Sequence, residues 1–227
     1  MKSEFTVSLM CMDYLHISEQ IEILNQNADG YHIDIMDGHF CKNITLGPDF
    51  IKACAKLTTK PIDVHLMTTN PNDWIEACAR AGASVISPHA ETINADAFRT
   101  LNMIKAAGCR TGVTLNPATP LSYCRHYLSR IDVLTIMCVD VGYSGQSFIE
   151  EMLDKITEAR RLREENGWHY KILIDGSCNE ESFRKLHAAG AEAYVMGNTG
   201  LFRLDPDLRK ACCKMKEIFT RETGEAV

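Results

Sequence analysis

The sequence predicts a closed (β/α)₈ barrel, and three observations carry that reading. Short apolar strands alternate with amphipathic helices from one end of the chain to the other, without a linker or low-complexity stretch. Parallel strands need long crossovers, and a helix between successive strands is how such sheets are wound. The length of 227 residues fits a single barrel domain over 1–227, since barrels of this type run to about 200–250 residues. An open doubly wound sheet would call for a glycine-rich turn after the first strand, and Leu9-Met10-Cys11-Met12-Asp13 contains no glycine.

The elements follow in order. Strands are expected at 5–10, 31–36, 62–67, 84–89, 110–115, 132–138, 170–175 and 193–197. Helices are expected at 15–26, 48–58, 71–81, 95–107, 120–129, 148–165, 179–189 and 206–221. The strands are short apolar runs. The helix over 148–165 carries Ile149, Leu153, Ile156 and Ala159–Leu162 at helical spacing with charges between them. Asn70-Pro71 reads as a helix start, with Asn as N-cap and Pro at the first helical position. Gly82, Gly108 and Gly190 each stand between a helix and the next strand, where a left-handed cap is wanted.

Composition narrows the function classes. Hydrophobic residues at 45% and charged residues at 24% suit a globular chain. A net charge of −6 argues against a nucleic-acid partner, because neutralising phosphates needs a basic face. It leaves open a phosphorylated small molecule held by backbone N–H groups. No stretch approaches the roughly 18 apolar residues of a membrane span, and the Met1–Phe5 segment lacks the apolar run of a signal peptide. No membrane partner and a cytoplasmic location are therefore expected. The ten cysteines form no C-x-x-C pair and several fall in apolar patterns, so they read as reduced structural residues.

Chemistry concentrates at strand ends, where barrel active sites gather. His32 and Asp34 sit two apart on one strand and so share a face, His65 ends another strand, and Asp175 a third. Polar groups buried at strand tips are costly unless something pairs with them. Two imidazoles and two carboxylates that converge make a site for one divalent transition metal: Zn, Mn, Co or Fe(II).

Three glycine-bearing turns follow the last strands: Gly142-Tyr143-Ser144-Gly145, Gly176-Ser177 and Gly197-Asn198. Barrels bind phosphate at the loops after strands 7 and 8, so these turns are the expected phosphate cradle. Met36, Met67 and Met137 fall at strand ends and are expected as an apolar cavity wall that sheds water from a reactive intermediate. His89 and Glu91 read as a satisfied structural pair, Lys155, Arg160, Arg161 and Arg163 as a solvated helix face, and His16, His126, His169 and His187 as surface or packing residues.

Several segments together resemble the ribulose-phosphate 3-epimerase family: Ser8-Leu9-Met10, His32-Ile33-Asp34-Ile35-Met36-Asp37-Gly38, His65-Leu66-Met67, Leu115-Asn116-Pro117-Ala118-Thr119-Pro120, Gly142-Tyr143-Ser144-Gly145-Gln146 and Asp175-Gly176-Ser177. The match runs over essentially the whole chain. Within the family, Ser8–Asp13, Glu91–Asn94 and Asp175–Asn179 look most like the D-allulose-6-phosphate 3-epimerase branch, with D-ribulose 5-phosphate as the alternative substrate. The resemblance implies a metal on His32, Asp34, His65 and Asp175, and a ketose phosphate held by Ser8, His65 and the three glycine turns. It implies Asp34 and Asp175 as acid/base groups on opposite faces of the sugar, inverting C3 through an enediolate. It also implies a homo-oligomer. Val7, Val141, Ser144, Cys41-Lys42 and Asn198 depart from the family pattern, which bears on loop geometry and substrate preference.

Two other classes are weighed. A Schiff-base aldolase needs a strand-end lysine, and no expected strand ends on one. The barrel decarboxylases use an Asp-x-Lys-x-x-Asp pattern, whereas this chain has His32-Ile33-Asp34-Ile35-Met36-Asp37. A non-catalytic phosphosugar-binding or metal-storage protein would have no use for two carboxylates at one small-molecule site.

Overall fold

The computed structural model describes residues 2–227. Eight parallel strands close on themselves in chain order, with β1 hydrogen-bonded to both β2 and β8. They are β1 (Glu4–Ser8), β2 (Gly30–Met36), β3 (Ile62–Met67), β4 (Val85–Pro88), β5 (Arg110–Leu115), β6 (Val133–Met137), β7 (Lys171–Asp175) and β8 (Ala193–Met196). The helices are α1 (Ile17–Leu24), α2 (Pro48–Cys54), α3 (Asn72–Ala81), α4 (Ala90–Ile93), α5 (Ala97–Ala106), α6 (Met152–Asn166), α7 (Glu180–Ala189) and α8 (Leu208–Thr223). None is long and apolar enough to cross a membrane.

Most of the core lies between the barrel and its helices, where outward-facing Ile33, Ile35, Val64 and Leu66 are buried. A second cluster fills the barrel itself: Val85, Val133, Leu173, Ala193 and Val195. Strands buried on both faces explain why they read as continuous apolar runs. The polar residues that interrupt them therefore mark the inside of the barrel.

Three expectations shift. The helix expected over 120–129 is two 3₁₀ segments, Leu121–Tyr123 and Arg125–Arg130. Leu121, Cys124 and Tyr127 are buried at every third position, the 3₁₀ repeat, with Leu128 buried beside Tyr127, and Pro120 stands at the start. The first strand ends at Ser8, where the chain turns into a 3₁₀ segment over Leu9–Cys11. Helix α3 begins one residue later than the Asn-cap reading, with Pro71 rather than Asn70 at the N-cap. Gly82 and Gly190 do cap α3 and α7 with φ of 116° and 113°. Asn179 opens α7 with a capping box completed by Ser182.

Candidate active site

Strand alternation turns His32, Asp34 and Met36 of β2, and Asp63, His65 and Met67 of β3, into the barrel. The β2–β3 register sets Asp34 beside His65 and His32 beside Asp63. One ligand atom each from His32, Asp34, His65 and Asp175 lie within 4.8 Å of one another. Nε2 of His32 is 3.3 Å from Nδ1 of His65. Oδ1 of Asp34 stands 3.4 Å and 3.2 Å from those two nitrogens, and Oδ2 of Asp175 stands 3.6 Å and 3.4 Å from them. Both imidazoles are fully buried.

The outer nitrogens are already engaged. Nδ1 of His32 lies 3.0 Å from Oδ2 of Asp63, whose Oδ1 accepts from Ser87 Oγ at 2.8 Å. Nε2 of His65 lies 2.8 Å from Nε2 of His89. Two imidazole nitrogens and two carboxylate oxygens thus face one point. Such an arrangement is repulsive unless positive charge sits among them. Burial pushes the His32 imidazole down, yet the Asp34 charge and hydrogen bonds to Asp175, Asp34 and Asp63 raise it well above the ordinary histidine value. Burial likewise raises the Asp34 carboxyl, and His32 and His65 outweigh it and hold it far below the usual range. The cluster attracts a cation, and its N₂O₂ donor set fits a divalent transition metal.

Above the cluster opens a cleft of about 640 Å³, counted out to its open mouth. Asp34 and Asp175 form its floor, with Ser8 donating from Oγ to Asp34 Oδ2 at 3.0 Å. Met36, Met67 and Met137 all line it, as do Gly142 through Gly145, Gly176, Ser177, Gly197 and Asn198. His32 and His65 lie beneath and do not line the cleft, so the assignment of His65 to substrate contact gains no support from the geometry.

The loop after β7 is held under strain. Gly176 has φ of 103° and a Cβ there would meet Val139 Cγ2 at 2.6 Å, so only glycine fits. Ser177 follows with φ of 52°, the one non-glycine residue at positive φ among the described residues. That conformation costs of order 1–3 kcal/mol and persists only where the surroundings impose it. Here Ser177 Oγ donates to the Gln146 carbonyl at 2.6 Å, and its own carbonyl accepts from Ser182 Oγ at 2.5 Å. The loops after β6 and β7 are thereby locked together over the cleft.

Residues distant along the chain come together around the cleft. Asn198 Nδ2 donates to Ser144 Oγ at 2.9 Å, joining the loops after β6 and β8. Cys41 packs with Met36 and Met67, and Val141 packs against the same cluster.

Several placements differ from expectation. Lys155 is not solvated: its buried Nζ donates to the carbonyls of Asn116 and Pro117 at 2.9 Å and 2.5 Å. Arg163 is half-buried, bonded to the Tyr170 carbonyl and to Glu192. Arg161 is exposed, as expected, and pairs with Glu165. His89 and Glu91 are paired at 3.2 Å, but His89 also reaches His65, so the pair is tied to the site. Asp63 escapes the sequence reading, although its place two residues before His65 on one strand already puts it on the same face. All ten cysteines are free, eight of them buried.

The protein's relatives bear on this geometry. The description of the ribulose-phosphate 3 epimerase family matches residues 4–202. Ribulose-phosphate 3-epimerase of Escherichia coli (strain K12) is 36% identical over 220 residues, covering 96% of each chain. The Bacillus subtilis (strain 168) enzyme of that name is 38% identical over 193 residues, covering 84% of this chain and 88% of its own. Among solved structures, 3-hexulose-6-phosphate synthase from Salmonella typhimurium superposes with a TM-score of 0.71 at 14% identity, covering 96% of this chain and 99% of that one. KGPDC from Streptococcus mutans gives 0.73 at 12%, covering 96% and 98%. Those two likenesses speak for the barrel alone. The sequence match and the cluster of His32, Asp34, His65 and Asp175 at the barrel mouth agree: the chain belongs to the ribulose-phosphate 3-epimerase family and is an isomerase acting on a phosphosugar.

Proposed function

We propose that the protein interconverts D-ribulose 5-phosphate and D-xylulose 5-phosphate by moving one proton off and one proton onto C3. The observation that carries this is the pairing of two carboxylates, from β2 and β7, on the floor of a single cleft. The names of the relatives favour this five-carbon pair over the D-allulose 6-phosphate and D-fructose 6-phosphate pair that the branch resemblance suggests.

His32, Asp34, His65 and Asp175 would hold a divalent transition metal, which supplies Lewis acidity for negative charge developing on the sugar oxygens. The protein's own groups do the rest. One of Asp34 and Asp175 takes the C3 proton on its side of the sugar, and the other returns a proton from the opposite side. Ser8 orients the Asp34 carboxylate through its hydrogen bond. The three methionines exclude water while C3 is planar. The glycine turns over 142–145, 176–177 and 197–198 offer backbone N–H groups to the phosphate.

The deciding experiment is to measure kcat/KM for both ketose phosphates with one preparation, before and after chelation and metal restoration. Higher kcat/KM for D-ribulose 5-phosphate supports the proposal. Higher kcat/KM for D-allulose 6-phosphate would return the substrate to the six-carbon branch. Full activity after exhaustive chelation would remove the metal.

A further inference from the structure

We propose that Glu91 and His89 form a relay that fixes His65 in the tautomer whose Nδ1 lone pair faces the cluster. This inference rests on the reading that the cluster holds a divalent ion, and it assigns a task to two residues that touch neither the cleft nor the ion's ligand atoms.

His32 has a carboxylate directly behind it. His65 does not: its outer nitrogen meets another imidazole, and two imidazole nitrogens 2.8 Å apart share one proton. Which ring owns that proton decides whether Nδ1 of His65 presents a lone pair or an N–H to the cluster. Only the lone pair is compatible with a metal ligand.

The answer is set three links away. Lys155 on α6 grips the Asn116 and Pro117 carbonyls at 2.9 Å and 2.5 Å, holding the loop after β5. The Asn116 N–H then donates to Glu91 Oε1 at 2.9 Å. That leaves Glu91 Oε2, which faces His89 Nδ1 at 3.2 Å. A carboxylate can only accept, so His89 carries its proton on Nδ1 and turns the Nε2 lone pair toward His65. His65 must therefore donate from Nε2, and its Nδ1 is left bare toward Asp34 and Asp175.

Ring flips are blocked. His89 is sandwiched, with the Phe40 ring 4.6 Å and the His65 ring 4.9 Å from its centroid. A flip would also leave a buried N–H without a partner, at about 1–3 kcal/mol.

Glu91→Gln tests the relay without changing its shape. The amide that relieves Asn116 must offer its NH₂ to His89, which reverses the direction of donation along the chain. Zinc affinity, read by competition with a chromophoric chelator, is expected to fall about 10- to 100-fold in Glu91→Gln and in His89→Phe, as for lost outer-sphere partners. His89→Gln returns an acceptor near the Nε2 position and should recover most of it, which a merely structural role would not do. The cobalt-loaded variants should also show a shifted visible spectrum.

Wild-type affinity in both Glu91→Gln and His89→Phe would overturn the relay while leaving the metal reading intact. A wild-type protein that binds no zinc would instead overturn the metal reading beneath it. Should the variants fail to fold, nitrogen-15 histidine spectra of the zinc-loaded wild-type protein decide the matter. A proton on His89 Nδ1 supports the relay, and a proton on His89 Nε2 refutes it.

Discussion

Replacing Asp175 by asparagine should divide the reaction into its halves. Oδ2 of Asp175 stands 3.4 Å and 3.6 Å from the two histidine nitrogens, and its carboxylate opens onto the cleft. The substitution keeps the shape but removes one proton carrier. General acid–base catalysis is worth about 10²–10⁴-fold, or about 3–5.5 kcal/mol at 1.36 kcal/mol per tenfold. Epimerisation should fall by at least about a thousandfold, because the same change also removes an anionic metal ligand. Asp34 remains, and it can still take a proton on its own side and put it back. In D₂O, the Asp175→Asn enzyme should therefore exchange the C3 proton of one epimer without inverting it, while the other epimer keeps its proton. Asp34→Asn should show the opposite preference. Proton NMR of the C3 signal, run separately from each pure epimer, reads the outcome. Equal exchange of both epimers by a single variant would refute the two-carboxylate scheme, as would epimerisation within tenfold of wild type.

Ser8→Ala removes the hydrogen bond to Asp34. A bond to a charged group is worth about 1.5–3 kcal/mol, so exchange of the epimer served by Asp34 should slow roughly tenfold or more while the other is less affected; equal slowing of both would count against this role. Acid should weaken the fold through Glu91. Burial pushes its carboxyl up, but hydrogen bonds from His89 and Thr119 outweigh that and hold it down to about 2 from an ordinary 4.5. The folded state binds this proton less readily than the unfolded one, so the contribution is complete above the ordinary value and is lost as pH falls toward about 2. Melting of the metal-free protein between pH 5 and 2.5 should thus fall more steeply for wild type than for Glu91→Gln, and parallel curves would refute the assignment. Gly112→Ala would set a Cβ 2.0 Å from Ser87 Oγ and 2.8 Å from Ser87 Cβ. Overpacking of this kind costs about 1–3 kcal/mol, or several degrees in Tm at about 2–4 °C per kcal/mol. Adding Ser87→Gly should restore part of it, and a Gly112→Ala protein that melts like wild type would show the contact is not tight.

What was legible in the sequence was whatever strand alternation alone can carry. The barrel, the four clustered ligands, the methionine wall and the glycine turns follow from apolar runs and from which polar residues end them. What escaped depends on neighbours distant along the chain. Lys155 sits in a run with Arg160 and Arg161 that looks solvated, and only the path of the loop after β5 brings two carbonyls to its amine. The segment over 121–130 has helix-like composition, yet it winds as 3₁₀ turns, with Leu121, Cys124 and Tyr127 buried at every third position. Nothing along the chain relates Cys41 to Val141, or Ser144 to Asn198. In the fold Asn198 bonds to Ser144, and Cys41 and Val141 pack in one cluster with Met36 and Met67.

The register between β2 and β3 does more for the chemistry than any single residue. It sets His32 against Asp63 and Asp34 against His65, so each strand contributes an imidazole and a carboxylate at alternate inward positions. A slip of one residue would turn the imidazole and carboxylate of the slipped strand outward and drive its apolar residues, Ile33 and Ile35 or Val64 and Leu66, into the barrel. A slip of two would keep them inward but set His32 against His65, leaving Asp34 against Met67 and His32 without the carboxylate that orients it. The same ladder closes the barrel and aims the lone pairs. Its apolar outer face, with Ile33, Ile35, Val64 and Leu66 buried beneath the helices, pins that ladder in place. Hydrophobic burial on one side of these strands thus fixes the electrostatics on the other. That coupling explains how a cluster so repulsive without a cation can be held together: the apolar contacts that would be lost by opening it lie on the opposite face of the same residues' backbone.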